Sequence, residues 1–313
     1  MSEPPPLLPA PLFSTSRDDR LVRRSLARGE ALRLRRGIHA EHDGSAPPRD
    51  AAGIAEAGRR LTLLRAQALS ATIDDAIFSH STAVALWGLD WLGEWPERLH
   101  TTDRGTRPAQ TRSTFTRHRG PLLGPDIRLR SDLRVTSRAR TVADVLLTRP
   151  AAESLVTLDD ALRSTFLSAD DIANDLSGRK TARGSRRASE TLAFGDPKSM
   201  SAGESISRLR MRDSRFVAPV LQESFFDHEG RIGDVDFWWP GYGIIGEFDG
   251  HGKYLRDVYL KGRSPAQVVI QEKQREDRLR AHRLVRRVVR WGWADLEPLR
   301  LEALLIRAGV PRI

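Results

Sequence analysis

The hydrophobic and polar positions of the C-terminal third predict one helix, three strands, a second helix and a fourth strand, in that order. Residues 201–215 begin with Ser-x-x-Glu, which is typical of a capped helix start. Stretches rich in strand-forming residues follow, and Gly-containing turns at 229–230 and 240–243 divide them. A long charged stretch predicts the second helix. The later elements are predicted at 220–226, 232–239, 244–249, 266–282 and 284–291.

The first 40 residues have a different pattern. Residues 1–13 are rich in proline and predict a disordered lead. Apolar residues recur at helical spacing over 18–28, and residues 31–40 then alternate like a basic strand that turns at Gly37. A helix, a basic strand and a turn are how a winged helix-turn-helix ends, so we predict such a DNA-binding segment over 14–40. The alternative is a solvated amphipathic helix with a short hairpin.

The middle of the chain, residues 51–167, mixes helical and strand patterns, so the predicted fold class is α/β in the broad sense, or α+β. Ser79 is placed as the cap of a short helix, and His80 is interpreted as a helix-start residue rather than a ligand. No catalytic constellation is predicted in residues 41–165. Residues 168–198 are polar and predict a linker with one short helix, which separates the domain at 199–313. The predicted middle helices are 59–69, 79–89, 136–147 and 151–165, with two strands within 98–118.

Composition adds a partner class. The formal net charge of the 313 residues is +10, which favours an anionic partner, and nucleic acid is the commonest one. The alternative is a basic surface with no partner. The chain has no cysteine, so disulfides and cysteine-ligated zinc are excluded. No apolar run approaches the ~18 residues of a membrane helix, and the N-terminus lacks a signal-peptide pattern, so we expect a cytoplasmic protein without a membrane partner.

Acidic side chains within the C-terminal strands are the candidate chemistry. Asp236 lies on the second strand and Glu247 on the third, and hairpin neighbours bring side chains on one face within ~5 Å. Asp249 is two residues after Glu247 and is therefore expected on the same side. Converging carboxylates suit Mg²⁺ or Mn²⁺, which would activate water against a phosphodiester. The alternative is that these acids are strand-end residues bonded to arginine or to the backbone.

Further residues extend this candidate site. Lys253 is a candidate to orient the attacking water and His251 to transfer a proton, and the alternative for both is an exposed basic loop. Glu204 either reaches the metal or only caps its helix. The side chains predicted to contact DNA are Arg23, Arg24, Arg33, Arg35, Arg36, Lys273 and Arg278.

The order of elements and the acidic residues resemble the PD-(D/E)XK nucleases. In this chain the residues that carry the resemblance are Glu204 on the first helix, then Asp236 and Glu247-x-Asp249 on the strands. The run Gly-Glu-Phe-Asp-Gly-x-x-Lys-Tyr over 246–254 is similar to the branch related to very-short-patch-repair endonucleases. The resemblance covers about residues 199–296 and implies a restriction-endonuclease-like αβββαβ domain that cleaves DNA with Mg²⁺. The superfamily's usual lysine is Asp249 here. Either Lys253 or His251 substitutes for it, or the domain is catalytically weak.

The N-terminal part resembles AbiEi-type antitoxins of type IV toxin–antitoxin systems. The matching stretches are 34–39, 79–89 and 135–144. The resemblance implies a winged helix that binds DNA, usually the protein's own promoter, and a cognate toxin protein as a further partner. Two functions therefore stand as hypotheses: a Mg²⁺-dependent DNA endonuclease, and a transcriptional regulator or antitoxin-like protein with an inactive nuclease fold.

Overall fold

The structure, a computed structural model, divides the chain into two compact units, Met1–Phe194 and Gly195–Ile313. It describes residues 12–13, 24–28, 31–35, 38–41, 51–164, 166–179, 183–250 and 265–313. The described residues form three β-sheets with helices packed on them, which confirms the α+β class predicted from the sequence. None of the helices in these described ranges is both long and apolar enough to cross a membrane.

Unit 1 begins with a small antiparallel sheet in the order β1-β3-β2. Residues 24–27 between β1 and β2 are helical, and β2 bulges between Arg33 and Arg35. The basic strand predicted within 31–40 is therefore present as β2, and β3 returns antiparallel to it, with the turn residue Gly37 outside the described residues. The strands are β1 (Leu12–Phe13), β2 (Ala31–Arg35) and β3 (Ile38–Glu41).

The larger sheet of unit 1 has six strands in the order β6-β7-β5-β4-β9-β8. It is mixed, because β4 pairs with β9 and β5 with β7 in parallel, whereas the other pairs are antiparallel. Its core joins Phe78 and Val135 of the sheet to Leu63 and Leu86 of two helices. The strands are β4 (Ile77–Phe78), β5 (Leu99–Asp103), β6 (Gln110–Thr111), β7 (Phe115–Arg119), β8 (Ile127–Arg130) and β9 (Leu133–Thr136).

Within residues 51–194, as far as the structure describes them, there are six α-helices, and two of them occupy the region predicted as a linker. Residues 168–198 were predicted to be a linker with one short helix, but α5 (Ala169–Ser177) buries Ile172 and Leu176, and another helix, α6 (Ser185–Phe194), buries Ala188. The two apolar residues of α5 are four apart and so share one helix face, which the polar average of the segment conceals. The helices are α1 (Ala51–Ser70), α2 (His80–Trp87), α3 (Arg138–Thr148), α4 (Ala151–Arg163), α5 (Ala169–Ser177) and α6 (Ser185–Phe194).

Unit 2 has the helix and strand order predicted from its sequence pattern. Its sheet runs β10-β11-β12-β13, with β12 and β13 parallel and the other pairs antiparallel. A further helix, α9 (Pro298–Ala308), follows the last strand and was not predicted. The elements are α7 (Ala202–Asp213), β10 (Val220–Asp227), β11 (Gly230–Trp239), β12 (Ile244–Phe248), α8 (Pro265–Ala281), β13 (Arg287–Trp291) and α9 (Pro298–Ala308).

Helices cover the sheet of unit 2 and bury its apolar residues. Leu279 of α8 packs into a cluster that includes Val235, Trp238 and Ile245. Trp291 of β13 donates from Nε1 to Ser207 Oγ of α7 at 2.8 Å. Because helices pack closely on this four-stranded sheet, the strands have fixed positions. The acidic side chains within the strands therefore have fixed positions as well.

Candidate functional site

The acids of unit 2 lie on its two central strands. Phe237 pairs with Gly246 and Trp238 with Ile245, so the register continued by one residue places Asp236 opposite Glu247. Residues directly opposite in an antiparallel pair project from the same face. Glu247 is buried, with 8% of its surface exposed. The register therefore holds two carboxylates on one face of the sheet.

Glu247 is bound by two arginines. Arg275 of α8 donates to Glu247 Oε1 at 2.8 Å, and an Arg290 nitrogen lies 2.8 Å from Oε2. Burial raises the pKa of Glu247, the charge of Asp236 adds to that effect, and the two guanidinium groups oppose it. The sequence allowed an acid bonded to arginine as the alternative to a metal ligand. In the structure, Glu247 is bonded to arginine in this way.

Asp236 is joined to Glu204 through a residue that the sequence reasoning missed. Gln222 of β10 donates from Nε2 to Glu204 Oε2 at 3.0 Å and to Asp236 Oδ1 at 3.3 Å. The other oxygen of Asp236 accepts from the backbone N–H of Phe248 at 2.8 Å. Gln222 has a φ of 52°, a left-handed conformation that is uncommon for this residue type and that tends to occur at functional sites.

Glu204 also has the capping role that its spacing predicted. Ser201 Oγ accepts from the Glu204 backbone N–H and donates to Glu204 Oε1 at 2.8 Å. The backbone N–H of Met200 donates to the other oxygen at 2.9 Å. Because Glu204 is almost fully buried and both oxygens are occupied in this way, its direct role is to hold the helix start and, through Gln222, Asp236.

The remaining predicted site residues are not all brought together. Asp249 is half-buried just beyond β12, and its backbone N–H donates to Trp291 O at 2.8 Å. Within the described ranges, Asp236, Glu247 and Asp249 are not a group of three whose ligand atoms all lie within 4.8 Å of one another. Asp236 and Glu247 are the two candidate metal ligands that the strand register places on one sheet face. His251 and Lys253 lie outside the described residues.

The predicted DNA-contacting residues differ in how free they are. Arg24, Arg33 and Lys273 are exposed, whereas Arg35 is half-buried with a buried guanidinium nitrogen. Arg278 is held by the β10–β11 hairpin, because its Nε donates to Asp227 Oδ2 at 2.8 Å. Its present role is to fasten α8 to the hairpin, which the charge pattern of the helix did not reveal. Arg23 and Arg36 lie outside the described residues.

A second cluster, in unit 1, was not predicted at all. His80 begins α2, His100 lies on β5 and His118 on β7, and one ring nitrogen from each lies within 4.8 Å of the other two. His100 Nδ1 and His118 Nε2 are 2.8 Å apart, and the rings of His80 and His118 stack with centroids 3.8 Å apart. We call these three residues the histidine cluster. In the part of the chain that the structure describes, it is the one group of three or more such candidate ligand residues.

The start of α2 explains how His80 comes to face the other rings. Ser79 occupies the cap position, but its side chain does not cap the helix as predicted. Its hydroxyl instead lies 2.9 Å from His80 Nδ1 and accepts from Thr102 Oγ1 at 2.8 Å. His80 itself has a φ of 51°, so this helix begins with a strained histidine.

A buried carboxylate stands behind His80. Asp144 of α3 is 2% exposed, and its Oδ1 accepts from Arg140 Nε at 3.0 Å and from Arg179 Nη1 at 2.5 Å. Its Oδ2 lies 3.8 Å from His80 Nδ1 and is buried without a hydrogen-bond partner among the described residues. The charges of His80 and of both arginines lower the pKa of Asp144, although burial opposes them.

The pKa values of all three histidines are lowered, chiefly by burial. Burial lowers the pKa of His100 to about 3 and that of His118 to about 4, and burial also lowers the pKa of His80. Three of the eight histidines of the chain fall in residues 80–118, which is the signal that the sequence contained. It could not be interpreted without the parallel pairing of β5 with β7, which places Thr102 beside His118.

Comparisons with known proteins identify relatives. No protein-family model matches the chain. It is 19% identical to the protein of the crystal structure of RV2827C from Mycobacterium tuberculosis, with a TM-score of 0.37 over 68% of this chain and 78% of that one. It is 34% identical over 190 residues to uncharacterized protein MT2308 and to uncharacterized protein Rv2248 of Mycobacterium tuberculosis, strains CDC 1551 / Oshkosh and ATCC 25618 / H37Rv. The alignment covers 58% of this chain and 68% of either relative, so the chain belongs to the family of these two mycobacterial proteins.

Proposed function

We propose that this chain is a DNA-binding protein whose C-terminal unit hydrolyses DNA phosphodiesters with Mg²⁺ or Mn²⁺ at Asp236 and Glu247. The observation that carries the proposal is the register of β11 and β12, which sets these two acids opposite each other on one face of a sheet. The excess of basic residues, with a formal net charge of +10, supports DNA as the partner.

The two acids have the right chemistry for the ion. Mg²⁺ is usually bound through one or two carboxylates, with the remaining positions filled by water and phosphate oxygens. A bound ion would supply the Lewis acid and an activated water. Gln222 and the Phe248 N–H fix the Asp236 carboxylate, which is the support that a metal-binding side chain needs.

The neighbouring arginines suit the substrate. Arg275 and Arg290 place two guanidinium groups beside Glu247. Guanidinium groups bind phosphate with paired hydrogen bonds, so the same groups are suited to hold a DNA backbone next to the acids. They also oppose the rise in the pKa of Glu247 that burial causes, which favours the ionised form that a ligand carboxylate needs.

A second function is favoured by one specific observation. Each oxygen of Glu247 already has an arginine partner, and Asp249 stands where the resembling nucleases have a lysine. The second candidate is therefore a transcriptional regulator or antitoxin-like protein in which the nuclease-like unit is a catalytically inactive second DNA contact. In that case a cognate toxin would be a further partner.

A cleavage assay on the full chain separates the two candidates. Purified protein is incubated with supercoiled plasmid and with a mismatched duplex, in Mg²⁺, in Mn²⁺ and in EDTA. We expect Asp236→Asn and Glu247→Gln to lose about 100-fold or more of the metal-dependent cleavage, because each removes a carboxylate that binds the ion. Asp234→Asn is the matched control: Asp234 is on the same strand but bonds to Ser224 and Arg231 at the surface.

The outcomes are distinct. Cleavage that survives in Asp236→Asn would show that the activity does not come from this site. Sequence-specific binding with no cleavage in any metal would instead establish the regulator. Cleavage lost in all three variants would point to a general loss of folding, which circular dichroism of each variant checks.

A further inference from the structure

We propose that His80, His100 and His118 bind one zinc-class divalent transition-metal ion in unit 1, at a site separate from the acids of unit 2. The proposal starts from the convergence of the rings. One nitrogen of each histidine lies within 4.8 Å of the other two, although the three residues come from a helix start and two different strands. Fixed elements therefore hold the ligands before any ion binds, which lowers the cost of assembling them.

The nitrogen–nitrogen distances require only small changes, and the stacked rings of His80 and His118 must also turn so that both lone pairs point at one ion. Zinc–nitrogen bonds of about 2.0–2.1 Å in a tetrahedral site place ligand nitrogens about 3.3 Å apart. His100 Nδ1 and His118 Nε2 are 2.8 Å apart, which is a hydrogen bond that shares one proton between two neutral rings. For both nitrogens to bind the ion, the ring that donates this proton changes tautomer: the proton moves through solvent to the other nitrogen of the same ring, so both rings stay neutral and both lone pairs face the ion. The rings then separate by about half an ångström.

The surroundings of His80 are those of a metal ligand. Its Nδ1 contacts Ser79 Oγ at 2.9 Å and faces Asp144 Oδ2 at 3.8 Å, which leaves Nε2 as the nitrogen for the ion. Metal-binding histidines commonly direct their other nitrogen to a carboxylate, which fixes the tautomer and raises the basicity of the ligand. The Asp144 oxygen that faces His80 Nδ1 is buried and has no hydrogen-bond partner among the described residues.

A cavity next to the three histidines leaves space for the ion to enter and for a fourth ligand to bind it. A space of about 160 Å³ is lined by all three histidines together with Trp91, Thr148 and other residues. Three protein ligands with one position open to such a cavity leave room for water or a small anion as the fourth ligand. Arg149 also lines this cavity and would favour an anionic ligand there.

The ligand set selects the class of metal. Neutral imidazoles suit zinc, copper, nickel and iron, whereas Mg²⁺ and Ca²⁺ prefer oxygen ligands. The chain has no cysteine, so thiolate ligands do not contribute. The histidine cluster is therefore expected to discriminate against the hard ions that the acids of unit 2 would bind.

Cobalt substitution tests the proposal on the full-length, tag-free chain. The protein is stripped with a chelator and titrated with Co²⁺, whose visible absorption reports tetrahedral coordination, and Zn²⁺ is then added in competition. We expect the wild type to bind about one equivalent, and Zn²⁺ to remove the absorption. His100→Gln and His118→Gln should weaken binding by about 100-fold or more. Each of these variants keeps a polar side chain of similar size.

Two control variants define the site. His228→Gln changes an exposed histidine of unit 2, and Asp236→Asn changes the candidate acid site, so both should keep the full cobalt absorption. The proposal is overturned if the wild type shows no tetrahedral absorption, if His100→Gln and His118→Gln keep it, or if either control loses it. Because the controls separate the two sites, failure here leaves the proposed nuclease function to its own test.

A second measurement serves if the histidine variants do not fold. Ring ¹⁵N signals of the wild-type protein are recorded during Zn²⁺ addition. Three histidines whose signals shift together and saturate near one equivalent support the site. Shifts confined to other histidines, or none, overturn it.

Discussion

Gly203 allows helix α7 to pack closely against β12, the strand that holds Glu247. It lies in the first turn of α7, beside the ring of Phe248, the residue that follows Glu247. A Cβ added at Gly203 would come within 1.9 Å of Phe248 Cε1. Phe248 is 4% exposed, so its ring has no open space to move into. The glycine thus allows the helix to approach the strand that holds Glu247.

We predict that Gly203→Ala destabilises unit 2 by about 1–3 kcal/mol, which is the usual cost of overpacking a core. Alanine stabilises a helix by up to about 1 kcal/mol relative to glycine. The steric cost of the clash exceeds this gain because the ring of Phe248 is buried and cannot move away. The measurement is the free energy of unfolding from urea titration. Gly241→Ala is the control, because no heavy atom would lie within 4 Å of its Cβ. Equal stability of both variants with the wild type would contradict the close approach.

Single residues also mark the limit of what the sequence predicts. The opposition of Asp236 and Glu247 was predictable, because a tight turn between two strands sets the register of a hairpin. The link through Gln222 was not, since a strand glutamine has no pattern of its own. The sequence allowed arginine as an alternative partner of the acids, but it did not predict that Arg275 and Arg290 would bind Glu247. They come from α8 and β13, which are 28 and 43 residues away along the chain.

Among the elements, local pattern predicted unit 2 better than unit 1. The predicted strands of unit 2 match β10, β11 and β12 closely because each is bounded by a turn that glycine or proline signals. In unit 1, β4 and β6 are only two residues long, too short to give a periodic pattern. The parallel pairing of β5 with β7 depends on contacts distant in sequence, and the histidine cluster was missed for that reason.

The attachment of α8 to the β10–β11 hairpin gives a prediction about pH. Hydrogen bonds from Arg278 lower the pKa of Asp227 to about 2. An aspartate in an unfolded chain has a pKa of about 3.9. Because the folded value is the lower one, the stabilisation is complete above pH ~3.9 and is lost as the pH falls through ~2.

We expect carboxyl NMR titration of the wild type to give a midpoint near 2 for Asp227, and Arg278→Gln to raise it towards the unfolded value. The stability difference between the two proteins should shrink over the same acidic range. Arg280→Gln is the control, since Arg280 is on the same helix but pairs with Glu276. An Asp227 midpoint that Arg278→Gln leaves unchanged would show that this ion pair does not hold the helix to the hairpin.

At the scale of the whole molecule, the proposed DNA binding can be tested through its dependence on salt, because the chain has an excess of positive charge. The formal net charge is +10, but individual arginines differ greatly in how available they are. Arg33 is exposed on β2, whereas Arg35 is half-buried with its guanidinium Nη1 inside the unit. Substituting Arg35 would therefore change both folding and charge. Arg33 is the residue that tests the predicted winged-helix segment.

We predict that Arg33→Ala weakens DNA binding and reduces the slope of log K against log salt by about 0.9, the contribution of one phosphate contact. Arg186→Ala is the matched control, because it removes the same charge from an exposed position in α6 whose guanidinium pairs with Glu190. Both variants lower the net charge equally, so a purely diffuse electrostatic effect would change their slopes equally. A reduced slope in Arg33→Ala alone would place a phosphate on β2. Equal slopes in the two variants would remove the N-terminal strands as the DNA contact and leave the proposed binding to unit 2.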